Sequence, residues 1–390
     1  MGGARPSDAG FRHVALNAVF LESGMGGLET YVRRLVPELR ALRPDVRLTL
    51  FVNEEGSRSL RDEAWASEVE LATHPLLGRR YTRALSETTL LGSLAAARGV
   101  DVLHSVAMTG PLWTRRAHVT TVGDLIWVRY RSPEELRTRI AWKLLVPRVA
   151  ARANRVLTFS DASAADIAQT FGVPRSKIDV VPPGSGADPP PEPTPPSDLR
   201  HRLRLGDGPV VLTVSAKKPH KNLIRLVQAM QIVRERVPQS TLVVPGKPTR
   251  HEEELRRQAE AAGVKDAVRF PAYVSAADLE GLYGLADCFV FPSLQEGFGL
   301  PVLEAMRRDL PVACSSTSSL PEVAGPAARY FDPLSVVEIA SAVVDLLENR
   351  ALSEQLAQLG HKQQQLFTWR KAGEGTFASY ERAYAEAHRP

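Results

Sequence analysis

The 390-residue chain has almost no cysteine and none of the residue spacings that hold a metal ion. Its two cysteines, Cys288 and Cys314, stand in apolar runs typical of strands, which indicates reduced core residues. The cysteine and histidine spacing of zinc modules is absent from the sequence. These absences exclude a disulfide framework and a zinc module, and we expect no metal and no other cofactor.

The sequence also lacks the marks of a membrane-spanning, secreted or nucleic-acid-binding protein. No apolar run is long enough to cross a bilayer, and residues 1–8 have no apolar core of the kind that a secretory signal needs. The formal net charge of +5 is too mild to indicate nucleic-acid binding by itself. We therefore expect a globular, cytoplasmic protein without a nucleic-acid partner.

What the chain does have is length and a regular alternation of two kinds of segment. A chain of 390 residues is too long for one typical core, so two domains are expected. Short apolar runs alternate with amphipathic helices, which predicts an α/β fold with doubly wound parallel sheets. Strands are predicted near residues 14–16, 48–52, 101–104, 118–122, 155–159, 178–181, 210–214, 242–244, 268–270, 288–291, 312–314 and 329–331.

A proline-rich stretch, residues 184–199, separates the two halves of the chain. Because proline is disfavoured within helices and central strands, this stretch predicts a semi-rigid, extended linker. The sequence thus predicts a Rossmann-like domain over residues 1–183 and a second one over residues 200–366. In such domains ligands bind at the carboxyl ends of the strands.

The most informative segment, residues 293–306, follows a short apolar strand. It holds two glutamates, Glu296 and Glu304, with two glycines and Pro301 between them. Pro301 suits the first turn of a helix, so the segment predicts a strand, a glycine loop and a helix with Glu304 in its first turn. The loop amides and the positive helix end can hold an anion, and the carboxylates can accept hydrogen bonds from hydroxyls. Phosphate between hydroxyl-rich groups describes a nucleotide sugar.

The string Glu-Gly-Phe-Gly-Leu-Pro-x-Leu-Glu-Ala-Met that begins at Glu296 resembles the E-x7-E signature of retaining GT-B glycosyltransferases of family 4. The resemblance implies two Rossmann-like domains facing across a cleft, with the nucleotide sugar bound by the second. It implies that Glu296 holds the hydroxyls of the donor hexose and that Glu304 holds those of the ribose. The donor phosphate would be held by the loop residues Gly297, Phe298, Gly299 and Leu300.

A second donor-type segment, residues 214–223, joins a predicted strand to a predicted helix. A lysine at such a turn can neutralise a departing pyrophosphate. The segment resembles the family pattern Gly-Arg-x-x-Pro-x-Lys-Asn, in which Lys221 matches the phosphate-binding lysine. Ser215 stands where the family has glycine, and Ala216 where it has arginine. Lys217 or Lys218 could supply the missing charge, and the alternative is a solvated basic loop.

Two further segments resemble parts of the family's nucleotide site. Gly246 ends a predicted strand in a turn that borders the nucleotide in the family. Tyr273 and Val274 match backbone positions that read the base edge, although Ala272 replaces the usual glycine. We interpret Glu322, in a Leu-Pro-Glu-Val turn, as a helix-start carboxylate in preference to a donor ligand.

The acceptor side resembles the family more loosely. Gly26 and Gly27 belong to a glycine loop that feeds a helix, as in the family's loop beside donor phosphate and acceptor. The family's Val-His-Asp-Leu has Gly123 in place of its histidine here, whereas Asp124 remains. His104, on a neighbouring strand, either compensates for that histidine or is an ordinary strand-end residue.

Basic residues are concentrated between positions 129 and 155, with Trp127, Tyr130 and Trp142 interleaved. This pattern suits an anionic membrane surface or a lipid-linked acceptor, and a solvated helix face is the alternative. The carboxyl-terminal residues, from about 367 to 390, resemble the last GT-B helices, which pack back on the first domain.

The resemblance implies a retaining glycosyltransferase, and the absence of an Asp-x-Asp pair leaves a metal-dependent GT-A mechanism without support. Because the motifs resemble those of the mannosyltransferase-like subgroup, GDP-mannose is the first choice of donor, ahead of UDP- and dTDP-sugars. The expected acceptor is a glycan, a lipid-linked molecule or a small molecule. A peripheral position at the inner face of the membrane fits a lipid-linked acceptor. Two alternatives stay open: a catalytically weak nucleotide-sugar-binding relative, and a GT-B epimerase or phosphorylase.

Overall fold

A computed structural model describes residues 10–22, 26–77, 83–130, 136–186, 190–272 and 274–389. The chain divides into two compact units. Unit 1 comprises Met1–Gly184 with Thr368–Pro390, and unit 2 comprises Ser185–Phe367.

Unit 1 is built on seven parallel strands. They are β1 (His13–Asn17), β2 (Arg47–Val52), β3 (Glu70–Thr73), β4 (Val102–Ser105), β5 (Ala117–Thr121), β6 (Arg155–Thr158) and β7 (Ile178–Val180). Their order in the sheet is β3-β2-β1-β4-β5-β6-β7. In the central register, Leu16 of β1 lies opposite Leu50 on one side and His104 on the other.

The helices of unit 1 cover its sheet. They are α1 (Gly27–Leu42), α2 (Glu54–Leu60), α3 (Arg83–Thr89), α4 (Leu91–Ala97), α5 (Ile126–Arg129), α6 (Leu136–Arg152), α7 (Asp161–Phe171) and, from the carboxyl end of the chain, α16 (Trp369–Ala387). The inner face of α1 buries Val32, Leu35, Val36 and Leu39. Helix α16 joins the same core through Tyr380.

Unit 2 is built on six parallel strands. They are β8 (Val210–Leu212), β9 (Thr241–Val243), β10 (Val268–Arg269), β11 (Cys288–Phe291), β12 (Val312–Ser315) and β13 (Ala328–Phe331). Their order is β10-β9-β8-β11-β12-β13. This is the doubly wound order of dinucleotide-binding domains, in which the chain reverses direction across the sheet between β8 and β11. The ligand crevice of such a sheet lies at the carboxyl ends of those two strands.

The helices of unit 2 are α8 (Pro196–Leu203), α9 (Leu223–Arg236), α10 (Arg250–Ala261), α11 (Ala276–Leu285), α12 (Leu300–Arg307), α13 (Leu320–Ala324), α14 (Val336–Glu348) and α15 (Arg350–Gln364). Helix α8 begins inside the stretch predicted as a linker to residue 199, so that boundary was wrong. The prolines argue against a helix, but Pro196 is the first residue of α8, where the missing N–H of proline is not needed.

The two sheets confirm the predicted α/β class with doubly wound parallel strands. Twelve strands lie within a few residues of their predicted positions. The thirteenth, β3, was not predicted, because half-exposed Glu70 and Leu71 give it no apolar run. Within the described ranges, no helix has the length and hydropathy of a membrane span.

Candidate functional site

The loops that leave β8 and β11 meet where the unit 2 sheet reverses its order. Asn222 joins them, because its side-chain amide donates to the carbonyl of Pro292 at 3.0 Å and to that of Pro333 at 2.7 Å. The amide of Leu294 donates to the carbonyl of His220 at 2.8 Å. Asn222 has a φ of 57°, a left-handed conformation that asparagine tolerates better than most residues. The 3-10 turn Pro219–Lys221 is thereby fixed against the loop after β11.

An ion pair lies at this junction. Lys221 Nζ is 2.6 Å from Glu296 Oε1, and the two side chains keep only 15% and 10% of their exposure. Lys221 also lies 5.2 Å from the centre of the Phe291 ring. The structure therefore brings together the predicted phosphate-binding lysine and the predicted hexose-binding carboxylate. The neighbouring His220 stays neutral at pH 7, since burial and then Lys221 lower its pKa to about 4.

The backbone after Glu296 is held from the turn that precedes α13. Ser318 Oγ accepts from the Glu296 amide at 3.1 Å and donates to its carbonyl at 2.9 Å. Ser319 Oγ donates to the carbonyl of Phe298 at 2.6 Å. Gly299 has a φ of 123° and leaves no room for a Cβ, which would lie 2.8 Å from Leu320. The loop carbonyls are thus tied to Ser318 and Ser319.

Helix α12 begins directly after this loop. Within the described part of the chain, the amides of Phe298, Gly299 and Leu300 have no hydrogen-bond acceptor. Such unpaired N–H groups and the helix dipole attract an anion. Gly297, the first residue of the predicted phosphate loop, lies between these amides and Glu296.

Glu304 lies one turn further along α12 than predicted. It is the fifth residue of the helix, which begins at Leu300, and not part of the first turn. Its Oε2 accepts a hydrogen bond of 3.1 Å from the hydroxyl of Tyr283, which is almost wholly buried. Since Glu304 itself is only half-buried, its second oxygen can still bind a hydroxyl of a ligand.

Lys217 is a buried residue and not part of a solvated loop, so that alternative is wrong for it. Its Nζ donates to the carbonyl of Gly246 at 2.6 Å and lies 3.0 Å from Glu252 Oε2. The Gly246 amide donates to the carbonyl of Pro271. Lys217 therefore ties the turn after β8 to the turn after β9 and to α10. Lys218, by contrast, is exposed.

The remaining donor-side predictions concern Ser215, Tyr273 and Val274. A Cβ added at Gly246, whose φ is 130°, would lie 3.6 Å from the carbonyl oxygen of Ser215. Val274 is half-buried, and Tyr273 lies outside the described residues. Glu322 is an exposed residue in the first turn of α13.

In unit 1, Gly26 and Gly27 occupy the predicted place at the carboxyl edge of the sheet. Gly26 is the residue before α1, with a φ of 73°, and both glycines are exposed. An added Cβ would meet nothing within 4 Å at either glycine, so the space above them is open. Asp124, after β5, accepts a hydrogen bond of 2.9 Å from the amide of Ile126, the first residue of α5.

His104 lies inside the core of unit 1, so the structure does not place it on the acceptor side. Its Nδ1 lies 2.8 Å from the Tyr380 hydroxyl, and its Nε2 lies 2.7 Å from Thr121 Oγ1. Burial lowers the pKa of its imidazole to about 3. Both ring nitrogens are engaged and the side chain is fully buried, so the strand-end interpretation is the correct one.

The space beside Gly123 is occupied. A Cβ added there would lie 2.7 Å from Cε2 of Phe159, the residue that follows β6. The Phe159 ring packs against Tyr31 of α1, with 5.1 Å between the ring centres. The family has a histidine at the position of Gly123, and here the Phe159 ring fills the space that a side chain at this position would need.

The basic segment divides into buried and exposed parts. Arg155 is buried and paired with Asp179, and Trp127 packs edge-on against Trp142 in the core. Arg155 and Trp127 are therefore not available to a membrane, whereas Trp142 is only half-buried. The outer face of α6 remains exposed, with Ile140 and Leu144 alongside Lys143, Arg148 and Arg152. The side chains of residues 131–139 lie outside the described part.

A buried lysine, an ion pair and unpaired helix amides lie together at the switch point of the unit 2 sheet, an arrangement that suits a phosphate-bearing ligand. Two family models match the sequence. Glycosyltransferase Family 4 matches residues 25–185, and Glycosyl transferases group 1 matches residues 197–363. The chain belongs to this family of glycosyltransferases.

Individual relatives agree with this assignment. The chain is 31% identical to the GDP-mannose-dependent alpha-(1-6)-phosphatidylinositol monomannoside mannosyltransferase of Mycobacterium tuberculosis (strain CDC 1551 / Oshkosh), over 83% of this chain and 86% of the relative. It is 32% identical to O-antigen chain mannosyltransferase B of Escherichia coli, over 58% of this chain. The match spans only 60% of that relative's length.

Solved structures give the fold. Anabaena Alr3699/HepE in complex with UDP and glucose superposes with a TM-score of 0.72 at 20% identity, over 94% of this chain and 98% of that one. The fold is therefore GT-B, as predicted.

Several residues that build the site were missed by the sequence analysis. Asn222 and Ser319 hold the two loops in place, and Glu252 neutralises Lys217. The sequence could have indicated Asn222, because it directly follows Lys221, the predicted phosphate-binding lysine. Nothing in the sequence indicates the roles of Ser319 and Glu252, since their partners are distant in sequence.

Proposed function

We propose that the protein is a retaining, metal-independent glycosyltransferase that moves a mannosyl group from GDP-mannose to a hydroxyl of a glycan, lipid-linked or small-molecule acceptor. The single observation that carries the proposal is the Lys221–Glu296 pair beside the unpaired amides of α12. A cation and helix amides suit a diphosphate, and a carboxylate next to them suits sugar hydroxyls. The names of the two mannosyltransferase relatives support the choice of sugar.

In the proposed reaction the acceptor oxygen attacks C1 of the sugar on the face from which the phosphate leaves. The C1–O bond to the phosphate breaks with its electron pair on the phosphate, while the new C1–O bond forms. The acceptor proton passes to the departing phosphate oxygen, so a nucleoside diphosphate and a glycoside result. Lys221 and the Phe298 to Leu300 amides would stabilise the growing negative charge. Glu296 and Glu304 would orient the hexose and the ribose.

Binding tests separate the donor from its competitors. A thermal-shift panel of GDP, UDP and dTDP should show the largest rise for GDP, because a ligand at 100 times its dissociation constant adds about 2.7 kcal/mol of stability. Glu304→Ala should weaken GDP binding roughly tenfold, the worth of one lost hydrogen bond to a charged group. Glu322→Ala, an exposed helix-start carboxylate, is the matched control. Unchanged GDP affinity in Glu304→Ala contradicts the ribose role.

Product analysis tests the reaction itself. With GDP-mannose and a mannoside acceptor, we expect the α-anomer of the donor to be retained and turnover to survive EDTA. A β-linked product would overturn retention. Activity lost in EDTA and restored by manganese would overturn the metal-independent class. Product formed without an acceptor, or only with free phosphate, would assign an epimerase or a phosphorylase instead.

A second candidate, a catalytically weak nucleotide-sugar-binding relative, has an observation in its favour. Phe159 fills the space beside Gly123, and Ala216 replaces the family's arginine. Lys217 does not restore that charge to a ligand, because Glu252 and Gly246 hold it in the interior. Strong GDP-mannose binding without transfer to any acceptor would favour this candidate.

We also propose a peripheral contact with anionic membrane through the outer face of α6. Ile140 and Leu144, 54% and 52% exposed, alternate with Lys143 and Arg148 on that face. Apolar side chains flanked by cations suit the interface of a membrane that contains acidic lipids. Ile140→Ser/Leu144→Ser should abolish cosedimentation with phosphatidylglycerol vesicles. Unchanged cosedimentation would remove this proposal and leave the transfer reaction untouched.

A further inference from the structure

A cavity lies at the amino edge of the unit 1 sheet, away from the candidate donor site in unit 2. Its volume is about 530 Å³. It opens between the loop that enters β5, the end of α6 and the end of α16. Its lining includes Trp113, Arg115, Arg116, His118, Arg152 and Asn154. Asp124 follows the other end of β5, and a five-residue strand separates the two edges by roughly 17 Å.

The cavity carries three guanidinium groups without counter-charges. Among the residues that the structure describes, no carboxylate lies within ion-pair distance of Arg115, Arg116 or Arg152. The nearby Arg155 is different, because Asp179 and Glu386 neutralise it. Three cations around one concave surface create a positive potential that attracts an anion.

One of these arginines is already oriented. Arg152 donates from Nη1 to the carbonyl of Leu112 at 3.2 Å, and its guanidinium lies 3.8 Å above the Trp113 ring. Stacking and a backbone bond fix the plane of the guanidinium while leaving other N–H groups free to donate. A planar guanidinium that is held in this way suits bidentate binding of phosphate.

Trp113 supplies an apolar surface beside the charges. Its side chain is 75% exposed, the largest exposure of any large apolar residue in the described ranges. An exposed indole in a concave, basic setting favours a ligand with an apolar or planar part.

From these contacts we propose that the cavity is a second ligand site, which binds a phosphate-bearing molecule. Arg115, Arg116 and Arg152 contact the phosphate, and Trp113 packs on the adjacent apolar or planar portion. The phosphate belongs either to a soluble phosphorylated compound or to a phospholipid headgroup. The site does not depend on the proposed transfer reaction, because none of its residues takes part in donor binding.

The soluble arm uses inorganic pyrophosphate and isothermal titration. All proteins in this arm carry Lys221→Ala, so that the proposed donor site does not compete for the probe. Arg115→Ala/Arg116→Ala should weaken pyrophosphate binding roughly tenfold or more, because each charge-assisted hydrogen bond lost is worth about a factor of ten. The matched control is Arg350→Ala/Arg370→Ala, which removes the same charge from side chains that are 91% and 68% exposed.

The membrane arm uses cosedimentation with phosphatidylcholine vesicles, with and without phosphatidylglycerol, and the same two double variants without Lys221→Ala. Selective loss in the Arg115→Ala/Arg116→Ala variant in the titration assigns a soluble ligand. Selective loss with vesicles alone assigns a headgroup. The proposal is overturned if neither arm responds, or if the control loses as much affinity. Equal thermal unfolding midpoints show that both variants are folded.

Discussion

The two units have the same strand order around their first strands. They differ in the polar side chains near the strand ends, which are charged pairs in unit 2 and neutral hydrogen-bonded groups in unit 1. In unit 2 the loops after β8 and β11 hold charged side chains, with Lys221 on Glu296 and Lys217 on Glu252. In unit 1 the corresponding strands carry neutral, fully buried partners, such as His104 between Tyr380 and Thr121. A single topology therefore supports paired lysines in one unit and a neutral, buried histidine in the other.

The difference shows what each edge can do. The Lys221–Glu296 pair keeps some exposure, so both charges can turn to a ligand, whereas the Lys217–Glu252 pair is buried and ties the turns together. Neutral groups with both hydrogen-bonding atoms engaged have nothing left to offer a ligand, so they stabilise the core. Unit 2 thus has the electrostatics of a ligand site, and unit 1 contributes open backbone at Gly26 and Gly27.

The largest expected effect is on turnover, and it tests the charged edge. Lys221→Ala should lower kcat with GDP-mannose by roughly 10²–10³, because a preorganised cation at a developing charge is worth about 3–4 kcal/mol. Lys218→Ala, an exposed lysine of the same turn, is the control and should stay near wild type. Lys217→Ala should lower turnover far less than Lys221→Ala. Steady-state kinetics on the three variants measure the ranking. A larger loss of kcat in Lys217→Ala than in Lys221→Ala would assign the donor phosphate to Lys217.

The next effect is on stability, and it separates the two lysines of unit 2. Lys217→Met should lower the free energy of unfolding by about 3 kcal/mol, the lower end for a broken buried ion pair, because Arg256 still pairs with Glu252. Denaturant unfolding with Lys218→Met as control measures it. Adding Glu252→Gln should recover part of the loss. A Lys217→Met protein as stable as wild type would show that the Lys217 pair contributes nothing net.

These residues also show how far the sequence could lead. The strands were predicted because β-branched runs between amphipathic helices are local signals. Lys221 and Glu296 were predicted because each lies in a contiguous motif at the end of a strand. Their direct contact was not predicted. It depends on Asn222 and on the sheet order, which places β8 beside β11.

The misplaced residues share one cause. The sequence allows Lys217 either to supply the charge missing at Ala216 or to be a solvated loop lysine, and its burial follows from Glu252, thirty-five positions away in the sequence. For His104 the sequence allows either a group that compensates for the family's histidine or an ordinary strand-end residue, and the partner that decides between them, Tyr380, comes from the last helix. A side chain whose role is decided by a distant partner gives no periodic or local signal. Burial of polar residues was therefore the least predictable part of the site.

A third prediction concerns the edge of unit 1 and tests whether Phe159 has replaced the family's histidine. Gly123→His should destabilise unit 1 by about 1–3 kcal/mol, because its Cβ would lie 2.7 Å from the Phe159 ring. Hydrogen exchange in β5 and β6 reports the loss. Phe159→Ala alone and combined with Gly123→His are the controls, and the double variant should be less destabilised by the histidine. An unaffected Gly123→His protein would mean that Phe159 moves aside freely.

The smallest expected effect is an acid sensitivity that originates in the neutral core of unit 1. Burial lowers the pKa of His104 from 6.5 to about 3, so the folded form stays neutral while the unfolded form takes up a proton. A lowered folded pKa contributes stability above pH 6.5, and that stability declines as the pH falls toward 3. At pH 5.5 the loss is about 1.4 kcal/mol, since one pH unit below the unfolded pKa corresponds to 1.36 kcal/mol.

Hydrogen exchange of the β4 and β5 amides at pH 7.5 and pH 5.5, corrected for the intrinsic exchange rates, measures the loss. The control is His104→Gln, which keeps a hydrogen-bonding side chain but cannot be protonated in this range. The pH-dependent change should be smaller in the variant by about 1.4 kcal/mol. Glu87 acts in the other direction, because burial raises the pKa of its carboxyl, but it is common to both proteins and cancels in the comparison. Equal pH responses in the two proteins would mean that His104 takes up its proton as readily in the folded protein as in the unfolded one, and the contrast between the paired lysines of unit 2 and the neutral histidine of unit 1 would then fail.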